Sequence, residues 1–435
     1  MSDNHHITED FIQYIWKFRL FNTIELHTTA GLPITILHPG HQNFSAGPDF
    51  LNARLRIDET LWIGHVEIHK KSSDWRRHGH TNDENYKNVI LHAVLEHDED
   101  IFLHQKGDLQ VFEMLKNILP SQWEFYKYWL TIKSWIACEA HLPEMDKITI
   151  VSQQQRLLVE RLESKSGAFM QLYNETSGDW NEVFYRKLSR NFGFKANSEA
   201  MEMLATSLPY KIIEKHKSDP FQIEALLFGQ AGMLNELFSD DYALQLQKEY
   251  FFLCKKYGLR SLNKSIWNYG RLRPSNFPCI RLAQLAALLS QTDHLLSRIL
   301  HAEEENQIHK LFEVTAHRYW DDHYRMDALT DSPEANHQKK LGDDSIDNIM
   351  INTVAVILFA IGQRKGTQDL IDRSIRILEE TPSEKNGILT KWATRGITAE
   401  NAAESQSLLQ LYGVYCTTRK CLQCSIGMKI FNTQK

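Results

Sequence analysis

The stretch Phe44–Asp98, FSAGPDFLNARLRIDETLWIGHVEIHKKSSDWRRHGHTNDENYKNVILHAVLEHD, decides how the chain is read. A Gly47-Pro48-Asp49 turn leads into a short β-run, Leu51 to Ile57, and the polar turn Asp58-Glu59-Thr60 leads into a second, Leu61 to His69. Apolar and β-branched residues bounded by turn formers predict a hairpin. Side chains at i and i+2 share one face of a strand, so His65, Glu67 and His69 are expected to point one way and Val66, Ile68 and Lys70 the other. Asp49 stands at the mouth of the neighbouring strand, and paired strands about 4.8 Å apart can bring it beside Glu67. Two converging carboxylates next to a basic group suit a hard divalent cation, Mg²⁺ or Mn²⁺. The alternative is a capping aspartate and a solvent-facing strand glutamate.

Outward from this stretch, Ile7 to Phe21 has apolar residues near helical spacing, with Thr8 as N-cap and acids in the first turn. Ile34 to Leu37 reads as a strand, Asp83 to Asn88 as a short helix, and Val89 to Leu95 as a buried strand. The expected order is helix, three strands, helix, strand. Ile101 to His104 and Leu109 to Glu113, around Gln105-Lys106-Gly107-Asp108, read as a second hairpin extending the sheet.

That order, with Pro48-Asp49 at one strand start and Glu67-Ile68-His69 on the next, resembles the PD-(D/E)XK restriction-endonuclease-like nuclease superfamily over roughly the first third of the chain. The resemblance implies metal-dependent cleavage of phosphodiester bonds in DNA or RNA, with Asp49 and Glu67 holding Mg²⁺. His69 occupies the place of the superfamily's lysine, and His69 or Lys70 would handle the attacking water. The whole chain also resembles an uncharacterised bacterial family, domain of unknown function 2851, through GHVEIHKKSSDW, RLRPSNFPCIRLAQLA and CTTRKCLQCSIG. This second resemblance carries no activity.

The loop His78-Gly79-His80, with Asp83 and Tyr86, follows the Glu67 strand and is expected to fold over the same pocket, supporting the metal ligands or contacting phosphate. Its spacing is one residue off the HxHxDH pattern of the metallo-β-lactamase fold, which is therefore rejected.

The chain has 435 residues, enough for two or three domains, and 42% hydrophobic and 24% charged residues, as in ordinary globular proteins. A protein that holds nucleic acid by a broad basic face is usually positive; with a net charge of -6, any nucleic-acid contact is expected from a local patch or a metal. The polar start MSDNHHITEDF is not a secretory signal, and the longest apolar run, Val354 to Gly362, is shorter than the roughly 20 residues of a membrane helix, which predicts a cytoplasmic protein without membrane contact.

From about Ile148 onward the apolar spacing is helical, with breaks at Gly178, Pro209, Pro220, Pro274, Pro278 and Pro333. The fold class expected is α+β: an N-terminal restriction-endonuclease-like mixed sheet with flanking helices over 1–135, then a large all-α domain over 136–435. Two stretches of the latter bear on function. Lys255, Lys256, Arg260, Arg271 and Arg273 interleave with Tyr257, Trp267, Tyr269 and Phe277, a pattern suited to phosphate contact with base stacking, or to a solvated helix face followed by a packed loop. Cys416-x4-Cys421-x2-Cys424 suits Zn²⁺ or an iron–sulfur cluster, with a fourth ligand from Cys138, Cys254, Cys279 or a histidine, or else packs as small hydrophobes. Three functions stay open: a metal-dependent nuclease, an inactive nucleic-acid-binding or scaffold protein on the same fold, and a helical protein-interaction module.

Overall fold

The structure, a computed structural model, describes residues 7–43, 45–103, 107–330 and 337–433. Phe44, the turn residues Gln105 and Lys106, and Pro333 lie outside the described residues. The chain forms two compact units, Met1–Gln153 with Leu411–Lys435, and Gln154–Gln410. The first unit thus takes in the C-terminal segment, which sequence order assigns to the helical domain.

In the first unit, helix α1 spans Glu9–Phe18. The Thr8 side chain accepts from the Phe11 N–H, Glu9 and Asp10 sit in the first turn, and Phe11, Ile12, Ile15 and Trp16 are buried. The strands are β1 (Leu26–His27), β2 (Pro33–His38), β3 (His41–Gln42), β4 (Phe50–Ile57), β5 (Thr60–Lys71), β6 (Val89–Glu96), β7 (Phe102–Leu103), β8 (Gly107–Asp108) and β9 (Val111–Glu113). The main sheet runs β1-β2-β4-β5-β6-β9, with β3 also on β4. The predicted β4–β5 hairpin forms, Ile57 opposite Thr60, and Asp58 takes the left-handed φ of 52° that so tight a turn requires. The short helix α2 (Asp74–Arg77) and two 3-10 turns then return the chain so that β6 lies parallel to β5. β6 is buried from Val89 to Leu95, as befits a strand covered on both faces. Gly64 makes this approach possible, because a Cβ there would lie 2.4 Å from Ile90 Cγ2 and 2.6 Å from the Asn88 carbonyl oxygen.

The expected second hairpin is a correction. β9 does extend the sheet, but parallel to β6 with His92 opposite Val111, while among the described residues β7 and β8 pair only with each other. To run beside β6 in the same direction the chain must first double back, and the β7–β8 ribbon is that excursion. Helix α3 (Pro120–Thr131) follows, and the long helix α4 (Lys147–Glu175) contains the boundary at Gln153.

Among the described residues the second unit is helical apart from the ribbon His323–Arg325 with Ala328–Leu329. Asp343–Lys365 is continuous in helical form through a π-turn at Met350–Val354, and so becomes long and apolar enough to cross a membrane. The apolar run alone does not predict that length. With 83% of its most apolar window inside the fold, it packs as a core helix.

Candidate metal centre

β5 carries Glu67 and His69 on one face, and both are almost fully buried, at 4% and 2% exposed. Asp49, just before β4, reaches them across the antiparallel pair. Its N–H donates to Glu67 Oε2 at 3.0 Å, and its carboxylate accepts from the Ile68 N–H at 2.9 Å and from Gln13 Nε2 of α1 at 2.9 Å. The predicted meeting of Asp49 with Glu67 is therefore present. His65 is drawn off instead, its Nδ1 accepting from the Asn52 N–H at 3.3 Å.

The other oxygen, Glu67 Oε1, faces imidazoles. It lies 3.5 Å from His69 Nε2 and 3.4 Å from His80 Nε2. His78 Nδ1 lies 3.0 Å from His69 Nε2, and donor atoms of His69, His78 and His80 all fall within 4.8 Å of one another. The loop arrives here for local reasons. Ser72 and Ser73 anchor to Asp98, Asp74 accepts from the Lys71 N–H at 3.2 Å, and Gly79, at φ 79°, provides the left-handed step between the two histidines. Tyr86 stacks on the His80 ring at 3.8 Å, and Trp75 meets His80 edge-on. Asp83 turns away to bond the Asn85 N–H and side chain.

Sequence reasoning did not single out His92 or Glu9. His92, fully buried on β6, places Nε2 2.9 Å from His69 Nδ1. Its signal was a histidine inside the otherwise apolar run VILHAVL. Glu9 opens α1, where an acid is ordinary as a dipole partner, yet its charge acts on both Asp49 and Glu67. Lys70 falls on the opposite side of the strand by alternation, and its charge acts on Glu9.

Burial dominates the electrostatics. It pushes both carboxyls up, with the Asp49 charge adding to the effect on Glu67. It also pushes His69 down to about 2 and His92 down to about 3, and lowers His80. These three shifts favour the neutral imidazole, the form that binds metal. His80 Nε2 is buried without a hydrogen-bond partner, since its approach to Glu67 is poorly aligned. Bonds of about 2.0–2.1 Å to a tetrahedral ion put neighbouring donors about 3.3 Å apart. The His69–His78, Glu67–His80 and Glu67–His69 spacings of 3.0, 3.4 and 3.5 Å match that edge, and the three histidine donors lie within 4.8 Å of one another. The residues therefore fit a divalent ion with mixed nitrogen and oxygen donors.

The basic stretch divides. Arg271 and Arg273 line a cavity of about 1270 Å³ in the second unit together with Lys195, Arg281, Lys339 and Lys340, whereas Lys255, Lys256 and Arg260 do not line it. Its aromatic partners are committed to packing: Trp267 Nε1 donates to the Ala231 carbonyl, Tyr257 bonds His216, and Arg325 covers Tyr269 and Phe277. Cys416, Cys421 and Cys424 lie in the first unit.

Sheet, helices and buried carboxylate–imidazole cluster define an α+β protein with a candidate metal centre. The chain belongs to the family described as protein of unknown function DUF2851, whose pattern matches residues 9–387. No curated protein and no solved structure matches it.

Proposed function

We propose that the first unit is a metal-dependent hydrolase of phosphodiester bonds, acting on DNA or RNA. The observation that carries the reading is the pairing of Asp49 with Glu67 on adjoining strands, with Glu67 turned toward His69 and His80 of a three-histidine cluster. The order of α1, the antiparallel strands β1 to β5, α2 and the parallel strand β6 supports the likeness to the PD-(D/E)XK nucleases. Imidazole donors favour Zn²⁺ over the Mg²⁺ or Mn²⁺ that two carboxylates alone suggest.

Glu67, His69, His78 and His80 would hold the ion, which would supply Lewis-acid stabilisation of charge on the phosphoryl oxygens. His92 holds the His69 ring through Nδ1 and so fixes its tautomer. Asp49, tethered by Gln13 and the Ile68 N–H, keeps a carboxylate beside the centre whose raised pKa suits it to take a proton from an attacking water. Trp75 and Tyr86 pack against the His80 ring, which is buried, while His78 stays exposed at the mouth of the cluster.

The cationic cavity bearing Arg271 and Arg273 would hold the phosphate backbone. The replacement of the superfamily's lysine by His69 favours a second reading, a nucleic-acid-binding protein without turnover. The test is cleavage of labelled DNA and RNA by the full chain with Mn²⁺, Zn²⁺ or Mg²⁺. Cleavage lost in Glu67→Gln, with an unchanged circular dichroism spectrum, is expected. Cleavage surviving that change refutes the assignment, and salt-sensitive binding without cleavage under any metal selects the second reading.

A further inference from the structure

All six cysteines are present as thiols, and four belong to the first unit: Cys138, Cys416, Cys421 and Cys424. Three of them stand on one folded-back loop. Cys416 closes the π-helical turn Leu411–Cys416, Arg419 takes a left-handed φ of 57°, and the Lys420 N–H donates back to the Tyr415 carbonyl at 2.9 Å. Cys421 opens the 3-10 turn Cys421–Gln423, and the Cys424 N–H donates to the Cys421 carbonyl at 3.2 Å, so these two cysteines flank a single tight turn. The helix Ser425–Thr433 presses directly on it. A Cβ at Gly427 would lie 2.1 Å from the Cys421 carbonyl oxygen.

Cys138 arrives on a different segment, at the start of the 3-10 turn Glu139–Glu144. Two contacts fasten that segment to the loop. Arg419 Nη2 donates to the Ile132 carbonyl at 2.7 Å, and the Trp135 and Tyr412 rings stack at 4.8 Å. Arg419 Nη1 is buried and has no hydrogen-bond partner, so a cationic donor beside the thiols lacks an acceptor.

The four sulfurs also sense one another. Burial is the main cause raising each of three thiols, and neighbouring cysteines come next: Cys424 and Cys421 on Cys138, all three others on Cys416, and Cys424 on Cys421. Every pairing among the four is represented. Yet among the described residues the only trio of donor atoms within 4.8 Å of one another is His69, His78 and His80. A single tetrahedral Zn²⁺ with Zn–S bonds of about 2.3 Å would need its sulfurs about 3.8 Å apart. A [4Fe–4S] cube spreads its four cysteine sulfurs to roughly 6 Å.

We infer that Cys138, Cys416, Cys421 and Cys424 ligate an iron–sulfur cluster of the four-cysteine type, which ties the C-terminal segment of the first unit to the chain that follows its sheet. Arg419 supplies a neighbouring positive charge for the anionic cluster. Cys254 and Cys279 are not part of it. They belong to the second unit, where Cys254 Sγ donates to the Leu259 carbonyl and Cys279 Sγ contacts Tyr269. The helix after Cys424 packs on α1, with Phe431 edge-on to Tyr14 and the Tyr14 hydroxyl donating to Asn432 Oδ1 at 2.9 Å. Since α1 also bears Gln13, which holds Asp49, the cluster would brace the helix that positions the candidate metal centre.

The test is iron and acid-labile sulfide analysis of the full chain, produced with iron supplied and kept anaerobic. About four irons and four sulfides per chain, with a broad absorbance near ~400 nm, are expected. Cys138→Ser should lose most of the iron, the sulfide and the band, while Cys254→Ser keeps all three and Glu67→Gln keeps the sulfide and the band. A wild-type chain without sulfide overturns the inference, whether it carries zinc lost in Cys138→Ser or no metal at all. Retention of the full cluster by Cys138→Ser overturns it too. The wild-type assay does not depend on any variant folding, and Glu67→Gln separates failure of the cluster from failure of the metal centre.

Discussion

Asp49 and Glu67 hold each other through the main chain. The Asp49 N–H donates to Glu67 Oε2 at 3.0 Å, while the Asp49 carboxylate accepts the N–H of Ile68, next to Glu67, at 2.9 Å. The β4–β5 ladder shifts register between Phe50 and Ala53, beside this pair, so side-chain bonds replace ladder bonds where the strands separate. The two acids are thus structural partners in the fold.

Asp49→Ala should therefore cost stability as well as function. It leaves the buried Ile68 N–H without its acceptor, a loss of about 1–3 kcal/mol. Asp49→Asn keeps an acceptor oxygen and should recover most of that in a urea titration. If the two variants unfold at the same urea concentration, the latch does not support the fold.

The histidines should rank by their place in the cluster. His80→Ala removes a donor atom and should abolish tight binding of Zn²⁺ or Mn²⁺ by calorimetry. His92→Phe keeps the buried volume but removes the group that orients His69, and should weaken binding about 10–100-fold. Wild-type affinity in His80→Ala would remove the metal centre altogether.

In the second unit, Glu224 is buried and accepts from Trp320 Nε1 at 2.6 Å and the Tyr242 hydroxyl at 3.0 Å. Burial nevertheless raises its carboxyl from 4.5 to about 7. The folded state binds this proton more tightly than the unfolded state, so the stabilisation is full below pH 4.5 and is lost as pH rises through 7. A rise of that size is worth roughly 3 kcal/mol. Glu224→Gln should lose this part of the pH dependence and be more stable than wild type at pH 8. Parallel curves of stability against pH for the two proteins would contradict the assignment.

Much of the first unit was legible because strand alternation and turn residues are local signals. The β4–β5 hairpin, the buried β6 and the approach of Asp49 to Glu67 all follow from them. The roles of His92 and Glu9 were not legible. A histidine in an apolar strand and an acid in a first helical turn each have ordinary uses, and only the parallel crossover and the packing of α1 give them a common focus. Cys138 was one of several candidates for the same reason. Its 278-residue separation from Cys416, 416 minus 138, lies beyond any local spacing rule. The β7–β8 excursion was missed because a turn between two apolar runs reads the same whether or not those runs pair with each other.

Gly64 tests whether the crossover itself holds the centre together. The His65 N–H donates to the Asn88 carbonyl at 2.8 Å, opening the contact between β5 and the β6 segment, and it is this carbonyl and Ile90 that a Cβ at Gly64 would strike, at 2.6 and 2.4 Å. A methyl group cannot enter without parting the two strands, so Gly64→Ala should destabilise the first unit by about 1–3 kcal/mol or more. The same displacement separates His69 on β5 from His92 on β6, so metal affinity should fall although no ligand has changed. Adding Ile90→Ala relieves the side-chain clash but leaves the carbonyl in place. The double variant should then be more stable than the sum of the single losses, without regaining wild-type stability. Strict additivity of the two changes would mean that the added methyl does not press on Ile90.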